Sequence, residues 1–253
     1  MAKKLSSKFD KELKIAVAAV KKSEKTFRKY FGTKIKTKIK EGDYRNLVSY
    51  ADTKIESDII KFVSRHFPHH AFHAEESGAS GKNSKFLWVL DPIDGTNNYL
   101  QGVPECGIAL GLLKNGQPVV SVVYFPMLNK LYTATSGSRS KVNGKPIRVS
   151  KIKDVKYAFG SLGWGRNLNF AKKTFPKLVS KILKIRVPAS RMVSLCYVAE
   201  GVYDFHVDID MGLWEWDTGR LIIQQAGGKC ILVNKRIGIS ANSVLLSKIK
   251  KLF

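Results

Sequence analysis

The alternation of apolar and polar residues along the chain predicts a mixed succession of helices and strands. Apolar residues recur at helical spacing over 7–30 and 51–67, which indicates two amphipathic helices in the first quarter of the chain. Runs typical of strands lie near 71–75, 86–91, 105–113, 118–125, 130–135 and 140–149. The Asn143-Gly144 pair in the last of these runs predicts a tight hairpin turn.

The second half of the chain alternates between the two patterns. Helices are predicted near 168–184, 191–200 and 215–226, with strands near 202–208 and 229–233 and one short strand between the first two helices. This order predicts an α/β protein in which layers of helices cover sheets. No internal repeat or long linker is evident, so we expect a single domain over 1–253, with subdomains of approximately 1–152 and 153–253.

Composition agrees with an ordinary globular protein. The chain has 253 residues, of which 44% are hydrophobic, and this length suffices for a sizeable core. No apolar run approaches the roughly 18 to 20 residues that a membrane span needs. Cys106, Cys196 and Cys230 are scattered and odd in number, which favours reduced thiols and a cytoplasmic location over a disulfide framework.

The formal net charge of +24 raises the question of a nucleic-acid partner. Lysine, which lacks the planar fork of arginine, supplies most of the positive charge and is dispersed along the chain. In residues 34–40 lysines alternate with other side chains, as on a strand with one solvated face. We therefore expect no specific nucleic-acid site, although long-range attraction to polyanions and phosphorylated substrates follows from such a charge.

The stretch from Trp88 to Tyr99 carries the clearest chemistry. Its apolar run ends in Asp91 and Asp94, which Gly95 and Thr96 follow at once. This order predicts a buried strand, a turn and a helix start, so that two carboxylates would lie beside a place where backbone N–H groups bind anions. The alternative is a plain connection in which the aspartates only cap and turn.

This stretch also resembles a known signature. Asp91-Pro92-Ile93-Asp94-Gly95-Thr96, with Asn98 and Tyr99, is similar to the motif of the inositol monophosphatase family of metal-dependent phosphatases. Similar segments elsewhere extend the resemblance over most of residues 8–245. The resemblance implies an αβαβα five-layer sandwich of the sugar phosphatase type, a homodimer, sensitivity to lithium and hydrolysis of a phosphate monoester by metal-activated water.

The resemblance also implies a set of metal ligands. Two to three Mg²⁺ ions, or Mn²⁺, would bind to oxygen donors; the donors are Glu75, Asp91, the Ile93 carbonyl, Asp94 and Asp217. Glu76 would support Glu75, although the pair by itself is equally a solvated acidic turn. Asp217 follows Trp216 as in the family, but Thr218 and Gly219 stand where alanines are common, and Asp217 is by position also a candidate helix cap.

The same comparison assigns catalytic and phosphate-binding groups. Asp52 would accept a hydrogen bond from Thr96 and help it to orient the attacking water; its alternative is to cap the helix that follows it. The N–H groups of Gly95 and Thr96 would hold phosphate oxygens. Lys40 lies near the position of an active-site lysine of the family. A neighbouring lysine could equally fill that role, or no residue fills it.

The substrate is expected to be a small phosphorylated metabolite. Members of the family act on inositol phosphate, fructose 1,6-bisphosphate, NADP, histidinol phosphate or 3′-phosphoadenosine 5′-phosphate. Arg191 falls where inositol phosphatases have small residues, so that it would crowd inositol, bind a second anionic group, face solvent or pair with an acid. Asp208 or Asp210 is available for a sugar hydroxyl.

Alternatives to this assignment come from other features of the sequence. Four of the five histidines lie within residues 66–73 and raise the alternative of a zinc or nickel site, but their spacing matches no common zinc motif. Gly81-Lys82 lacks the glycine spacing of a P-loop. From a different functional class, the alternative is a non-catalytic protein that uses its basic surface to bind polyanions.

Overall fold

The computed structural model describes residues 8–34, 37–39, 47–81 and 84–253. The helices in this part of the chain are α1 Asp10–Lys22, α2 Glu24–Tyr30, α3 Tyr50–His66, α4 Thr96–Gln101, α5 Leu168–Val179, α6 Arg191–Glu200, α7 Leu213–Gln225 and α8 Ser243–Lys250. The strands are β1 Thr37–Ile39, β2 Leu47–Ser49, β3 Ala71–Ala74, β4 Gly78–Ser80, β5 Phe86–Asp94, β6 Gly107–Lys114, β7 Gln117–Phe125, β8 Lys130–Thr135, β9 Lys141–Val142, β10 Lys145–Pro146, β11 Phe159–Leu162, β12 Lys184–Arg186, β13 Phe205–Ile209, β14 Lys229–Val233 and β15 Ile237–Ala241.

Two sheets organise the described chain. The larger has the strand order β10-β9-β8-β7-β6-β5-β3-β4 and is antiparallel except where β3 runs parallel to β5. The smaller has the order β12-β11-β13-β15-β14, with β11 parallel to both of its neighbours. A short β1–β2 pair stands apart from both sheets. The central strands β6 and β7 are buried along nearly their whole length, as expected for strands covered on both faces.

Three apolar cores pack the layers of helices and sheets together. The first lies between the large sheet and α1 to α3, and includes Phe27, Ile55 and Trp88. The second lies between the large sheet and the pair α6 and α7, with Leu195 and Ile222. The third packs the small sheet against α5 and α8. Because α6 also contacts β13 and β15, this helix pair lies between the two sheets, and the predicted αβαβα sandwich is confirmed.

Several predicted boundaries differ from the structure. The helix expected over 7–30 is two helices, because the chain turns at Ser23, whose hydroxyl donates to the Ala19 carbonyl 3.3 Å away and so competes with the helical pattern. The helix expected over 168–184 ends at Val179. Strands β4, β11 and β15 and helix α8 were not predicted at all. None of the described helices is both long enough and apolar enough to cross a membrane.

Candidate active site

The acidic turn after β5 is shaped by an irregularity in the sheet. Asp91 pairs with Ala109 and Asp94 with Gly107 in the β5–β6 ladder, so β5 has one more residue than its partner over this interval. Such a bulge re-aims side chains at the end of a strand. Gly95 follows with a φ of +81°, a conformation that glycine adopts without strain, and α4 begins at Thr96.

A pocket of about 380 Å³ opens at this turn. Half of the acidic groups that the sequence singled out border it, namely Glu75, Asp91, Asp94 and Asp208. Ile93, Gly95, Thr96 and Arg191 border it as well. The pocket therefore collects residues from the turn after β3, from β5 and from α4 together with residues of α6 and β13, which lie much later in the chain.

Asp217 is not among the residues that border this pocket; Glu215 is. Both belong to the first turns of α7, and because successive helical residues are about 100° apart, residues two positions apart point to roughly opposite sides. Asp217 is buried and forms an ion pair with Arg220, over 2.6 Å between its Oδ1 and the arginine Nε. The structure therefore brings Glu215, and not Asp217, to this pocket.

The sequence contains a signal for Glu215. The segment Trp214-Glu215-Trp216-Asp217 contains two tryptophan–acid pairs in succession, and the first lies closer to the helix start. The substitutions noted at Thr218 and Gly219 are a further sign that the second pair is the wrong frame. α7 in fact begins at Leu213, two residues before the predicted start.

Burial and mutual repulsion make these carboxyl groups hold protons more tightly than usual. Burial, with the charges of Glu75, Asp94 and Glu215, raises the pKa of Asp91 well above its ordinary value. Burial raises the pKa of Asp94 to about 7, against the opposing hydrogen bond from Ser190. The pKa of Glu215 is also raised by burial, with Arg191 opposing the rise. A bound cation would relieve all three costs.

Two carboxylate oxygens in the pocket have no hydrogen-bond partner. Asp91 Oδ1 and Glu215 Oε2 are both fully buried in the described structure and unpaired, an arrangement that costs free energy unless a ligand completes it. The donor set consists of carboxylate oxygens, with the Ile93 carbonyl beside them, which suits a hard divalent cation. Within the described residues no three His, Cys, Asp or Glu side chains are already gathered as a closed metal cage.

Asp94 links the acidic turn to helix α6. Its carboxylate accepts hydrogen bonds from the Ser190 hydroxyl, from Arg191 N over 3.1 Å and from Met192 N over 3.1 Å. The two backbone N–H groups lie in the first turn of α6, where they have no partner within the helix and where a negative charge is stabilised. Each carboxylate oxygen has two acceptor positions, so Asp94 can make these contacts and still face the pocket.

Arg191 borders the pocket, and its side chain pairs there with acids. Its Nε donates to Asp208 Oδ2 over 3.0 Å, its Nη1 to Glu215 Oε1 over 2.8 Å and its Nη2 to the Ile209 carbonyl over 3.1 Å. Burial disfavours the charged guanidinium, but Asp208 and Glu215 outweigh burial and raise the pKa of Arg191. Of the alternatives open from sequence, the structure shows pairing with acids.

Asp208 is in turn held on its other side. It is completely buried, and its pKa is lowered because Arg191 and His206 outweigh the effect of burial. His206 Nε2 lies 3.5 Å from Asp208 Oδ2, and His206 Nδ1 lies 2.9 Å from the Ser161 hydroxyl. Arg191 therefore belongs to a buried polar chain that runs from β11 and β13 to Glu215.

Thr96 and Asp52 are close to each other, but each has a nearer partner. The Thr96 hydroxyl lies 3.5 Å from Asp52 Oδ1 and 3.1 Å from the Ile93 carbonyl. Asp52 Oδ2 accepts from Ser49 N over 2.8 Å, which completes a capping box at the start of α3. Both interpretations of Asp52 are thus compatible with its position.

The remaining predicted residues lie farther out. Glu76 does not border the pocket, but its backbone N–H donates to Glu56 Oε2 over 2.9 Å. Asp210 borders a second, adjoining cavity and pairs with Arg236 at the surface. Lys40 lies outside the described residues. Glu56, which the sequence did not single out, is buried and also accepts from Ser77 N over 2.8 Å, so it holds the turn that carries Glu75.

Of the histidines noted from sequence, His66, His70 and His73 pack against aromatic rings, and the His66 ring lies 4.8 Å from that of Phe62. His70 Nδ1 accepts a hydrogen bond from the Trp88 indole N–H over 3.1 Å, and the His70 ring stacks between Phe67 and Phe86. His73 meets the Trp214 ring edge-on at 5.5 Å. Among the described residues, no three of these histidines are gathered as a metal-binding group.

Comparison with known proteins agrees with the fold. The family model described as "Inositol monophosphatase family" matches residues 8–251. The fructose-1,6-bisphosphatase/inositol-1-monophosphatase of Aquifex aeolicus is 33% identical over 234 residues, which cover 91% of this chain and 89% of that protein. The Nus factor SuhB of Pasteurella multocida is 31% identical over 224 residues, covering 85% of this chain and 83% of the relative.

A solved structure shows the same architecture. The extragenic suppressor protein suhB from Bartonella henselae superposes with a TM-score of 0.90 at 25% identity, covering 96% of this chain and 98% of that one. The chain belongs to the inositol monophosphatase family, and the resemblance stated from the sequence is confirmed.

Proposed function

We propose that the protein is a Mg²⁺-dependent phosphatase that hydrolyses a small phosphate monoester by direct attack of water. The observation that carries the proposal is the pocket that joins Glu75, Asp91, Asp94 and Glu215, in which two buried carboxylate oxygens have no partner. Membership of a phosphatase family supports it. Homodimer formation, lithium sensitivity and a cytoplasmic location stay predictions.

In this proposal the carboxylates are divided between two ions. Glu75, Asp91 and the Ile93 carbonyl would hold one, and Asp91, Asp94 and Glu215 the other. Bound Mg²⁺ supplies positive charge that makes water a better nucleophile and stabilises the leaving oxygen. The side chains of the protein set where that charge lies, which is why the ties of Asp94 to α6 and of Glu215 to Arg191 matter for the reaction.

We assign to Thr96 the role of orienting the attacking water. Its single proton is directed to the Ile93 carbonyl or to Asp52, which leaves the lone pairs of its oxygen free to accept a hydrogen bond from water. The backbone N–H groups of Gly95 and Thr96, at the start of α4, would bind phosphate oxygens. α4 has only six residues, so we assign this role to the individual N–H groups and not to the dipole of the helix.

Arg191 acts in this proposal as a positioning residue. Its guanidinium fixes Glu215 through one oxygen and leaves the other, unpartnered oxygen for a cation. Because Asp208 and Glu215 already neutralise its charge, it is not assigned to a second phosphate group. Asp208, paired with Arg191 and with its own neighbour's N–H, is likewise not assigned to a sugar hydroxyl.

Phosphate release tests the proposal directly. The purified protein is assayed with inositol 1-phosphate, fructose 1,6-bisphosphate, glycerol phosphate and nucleotide phosphates, with and without Mg²⁺. We expect Mg²⁺-dependent release from at least one of them and its loss in Asp91→Asn. Asp91 is the better choice than Asp94, because Asp94 also anchors α6. Absence of any Mg²⁺-dependent turnover across the panel would contradict the proposal.

A second candidate function rests on the charge. The net charge of +24 and relatives that carry the name Nus factor support a non-catalytic role in binding polyanions. That role predicts nucleic-acid binding that weakens steeply with salt and that persists in Asp91→Asn. Nucleic-acid binding is measured by fluorescence anisotropy at salt concentrations from about 50 to about 300 mM. The result separates this candidate from the enzyme.

A further inference from the structure

Asn98 belongs to the acidic-turn motif, but the reaction proposed above gives it no role. It lies in the first turn of α4, two residues after Thr96, and it is buried. Unlike Thr96, it does not border the catalytic pocket. The polar atoms of a buried amide need partners inside the protein, so the contacts of Asn98 indicate its role.

The side-chain nitrogen of Asn98 joins two distant segments of the chain. Its Nδ2 donates to the Glu105 carbonyl over 2.8 Å and to the Pro188 carbonyl over 2.7 Å. A side-chain amide has two N–H donors, and both are used here. Glu105 lies between α4 and β6, whereas Pro188 lies in the loop that connects β12 to α6. Asn98 therefore ties α4 to a loop 90 residues later in the chain.

The loop between β12 and α6 contains a strained residue. Ala189 has a φ of +55°, in the left-handed region that residues with a Cβ rarely adopt. Such conformations persist where the surrounding contacts impose them. The hydrogen bond from Asn98 fixes the Pro188 carbonyl immediately before this residue. Immediately after it, the Ser190 hydroxyl donates to Asp94, so the strained residue is held from both sides.

The end of the same loop supplies the hydrogen bonds that hold Asp94 against α6. The donors are the Ser190 hydroxyl and the backbone N–H groups of Arg191 and Met192, with which α6 begins. A shift of the loop would move these donors away from the Asp94 carboxylate together. Groups that hydrogen-bond to a metal ligand set its orientation, so the position of the loop matters for the proposed Mg²⁺ site.

The catalytic turn packs directly between the two segments that Asn98 joins. A Cβ at Gly95 would lie 3.1 Å from the Glu105 carbonyl oxygen and 3.1 Å from the Ser190 Cβ. Both distances are shorter than ordinary van der Waals contacts in a close-packed interior. Movement of the loop would therefore also change the packing of the turn whose N–H groups we assign to the phosphate.

From these contacts we infer that Asn98 is a positioning residue for the metal site. By holding the Pro188 carbonyl, it keeps the β12–α6 loop in the strained conformation in which Ser190 and the start of α6 hold Asp94. The inference rests on the proposed Mg²⁺ site and phosphatase activity. Because Asn98 does not border the pocket, it acts on the ion only through this loop.

Calorimetric titration with Mg²⁺ and amide hydrogen exchange test the inference. We expect Asn98→Ala to weaken Mg²⁺ binding about 10-fold, as the loss of a group that orients a metal ligand implies. In the metal-free protein, the Arg191 and Met192 amides should exchange about 10-fold faster, as the loss of one hydrogen bond implies. In phosphate release, the Mg²⁺ concentration for half-maximal rate should rise while kcat at saturating Mg²⁺ changes little.

Asn242→Ala is the matched control. The Asn242 side chain also donates to two backbone carbonyls, those of Ser150 over 3.2 Å and Ile152 over 2.7 Å, but it lies at the start of α8 and outside the pocket. This variant should lower Tm and leave both Mg²⁺ binding and the exchange of the Arg191 amide unchanged. Equal effects of the two variants on Mg²⁺ binding would overturn the positioning role of Asn98.

Ala189→Gly tests the part of the inference that concerns strain. Glycine adopts a φ of +55° without the cost that a Cβ brings, so the loop should keep its conformation without the hydrogen bond from Asn98. Added to Asn98→Ala, Ala189→Gly should restore most of the Mg²⁺ affinity. Lys235→Gly, at an exposed residue with a φ of +59° in the β14–β15 turn, should restore none. Equal effects of the two glycines would contradict the role of the loop.

Two further outcomes keep the inference separate from folding and from the proposed activity. If Asn98→Ala does not fold, Asn98→Ser, which keeps one donor, takes its place and should show the same ranking against Asn242→Ala. Mg²⁺ binding and amide exchange that change as expected, while no substrate is hydrolysed, would support the positioning role and contradict only the phosphatase activity. Unchanged Mg²⁺ affinity and unchanged exchange in the Asn98 variant would overturn the inference whatever the activity.

Discussion

Arg191 Nη1 donates to Glu215 Oε1 over 2.8 Å, and this contact joins the start of α6 to the start of α7 inside the catalytic pocket. The side chain of Arg191 is 21% exposed and that of Glu215 9%. Each charge has therefore lost most of its contact with water, and each depends on the other. Asp208, which is fully buried, completes the group.

Arg191→Ala is expected to destabilise the protein strongly. Removing the guanidinium leaves the buried carboxylates of Asp208 and Glu215 uncompensated, and breaking a buried pair typically costs about 3–5 kcal/mol. The control is Arg236→Ala, which breaks a surface pair with Asp210 and should cost at most about 1 kcal/mol. Urea unfolding in the absence of divalent cations measures both. Equal losses of unfolding free energy in the two variants would show that the buried pair stabilises the protein no more than the surface pair does.

Glu215→Gln and Asp217→Asn separate the two acids at the start of α7. Only Glu215 borders the pocket, while Asp217 pairs with Arg220. We expect Glu215→Gln to lose Mg²⁺ binding and phosphate release, by about 100-fold or more in kcat/KM, a loss of about 2.7 kcal/mol of transition-state stabilisation. Asp217→Asn should keep both within a few-fold. Isothermal titration with Mg²⁺ and phosphate release decide the matter, and the opposite ranking would restore Asp217 as the ligand.

These residues also mark how far the sequence alone could predict the site. Asp91, Ile93, Asp94, Gly95 and Thr96 are contiguous, so one buried strand and one turn place them together, and local pattern was sufficient. Choosing the acid on α7 required the helix start to within two residues, and boundaries are the least certain part of a pattern. Asp217, the acid that the pattern indicates, does not border the pocket, whereas Glu215 does.

The pairing of Arg191 depends on contacts that no local pattern reveals. Its partners Asp208 and Glu215 are 17 and 24 residues away, on β13 and α7. The fold class was predictable because long apolar runs identify the central strands. Strand β15 and helix α8 were not predictable in this way. In β15, Gly238 and Ser240 interrupt the apolar pattern. In α8, only Leu245, Leu246 and Ile249 are buried.

The turn that carries Glu75 provides a test of a residue outside the pocket. Glu56 accepts from the N–H groups of Glu76 and Ser77 over 2.9 and 2.8 Å. Glu56→Ala leaves both donors without this partner, at a cost of about 1–3 kcal/mol each if they stay dry. We expect the Mg²⁺ concentration for half-maximal activity to rise several-fold while kcat at saturating Mg²⁺ changes little. A fall in kcat with unchanged Mg²⁺ dependence would contradict a positioning role.

Stability should depend on pH in a way that Mg²⁺ reverses. The pKa of Asp94 is about 7 in the fold and about 3.9 in an unfolded chain, so between these values the folded state binds more protons than the unfolded one. Stability falls with rising pH wherever the folded state binds more protons, and the contribution of Asp94 is therefore present below pH about 4 and lost as the pH rises to about 7. Burial gives Asp91 a shift in the same direction.

Thermal melts of wild type and Asp94→Asn, each with a chelator or with Mg²⁺, measure this dependence. Without cation, the difference in Tm between wild type and the variant should move against wild type as pH rises from about 4 to about 7. With Mg²⁺, which requires the deprotonated carboxylates, stabilisation of wild type should grow over the same interval. Asp94→Asn, which lacks the titrating group, should show a weaker form of both trends. A Mg²⁺ effect on wild type that is as large at pH about 4 as at pH about 7 would mean that these carboxylates do not hold the ion.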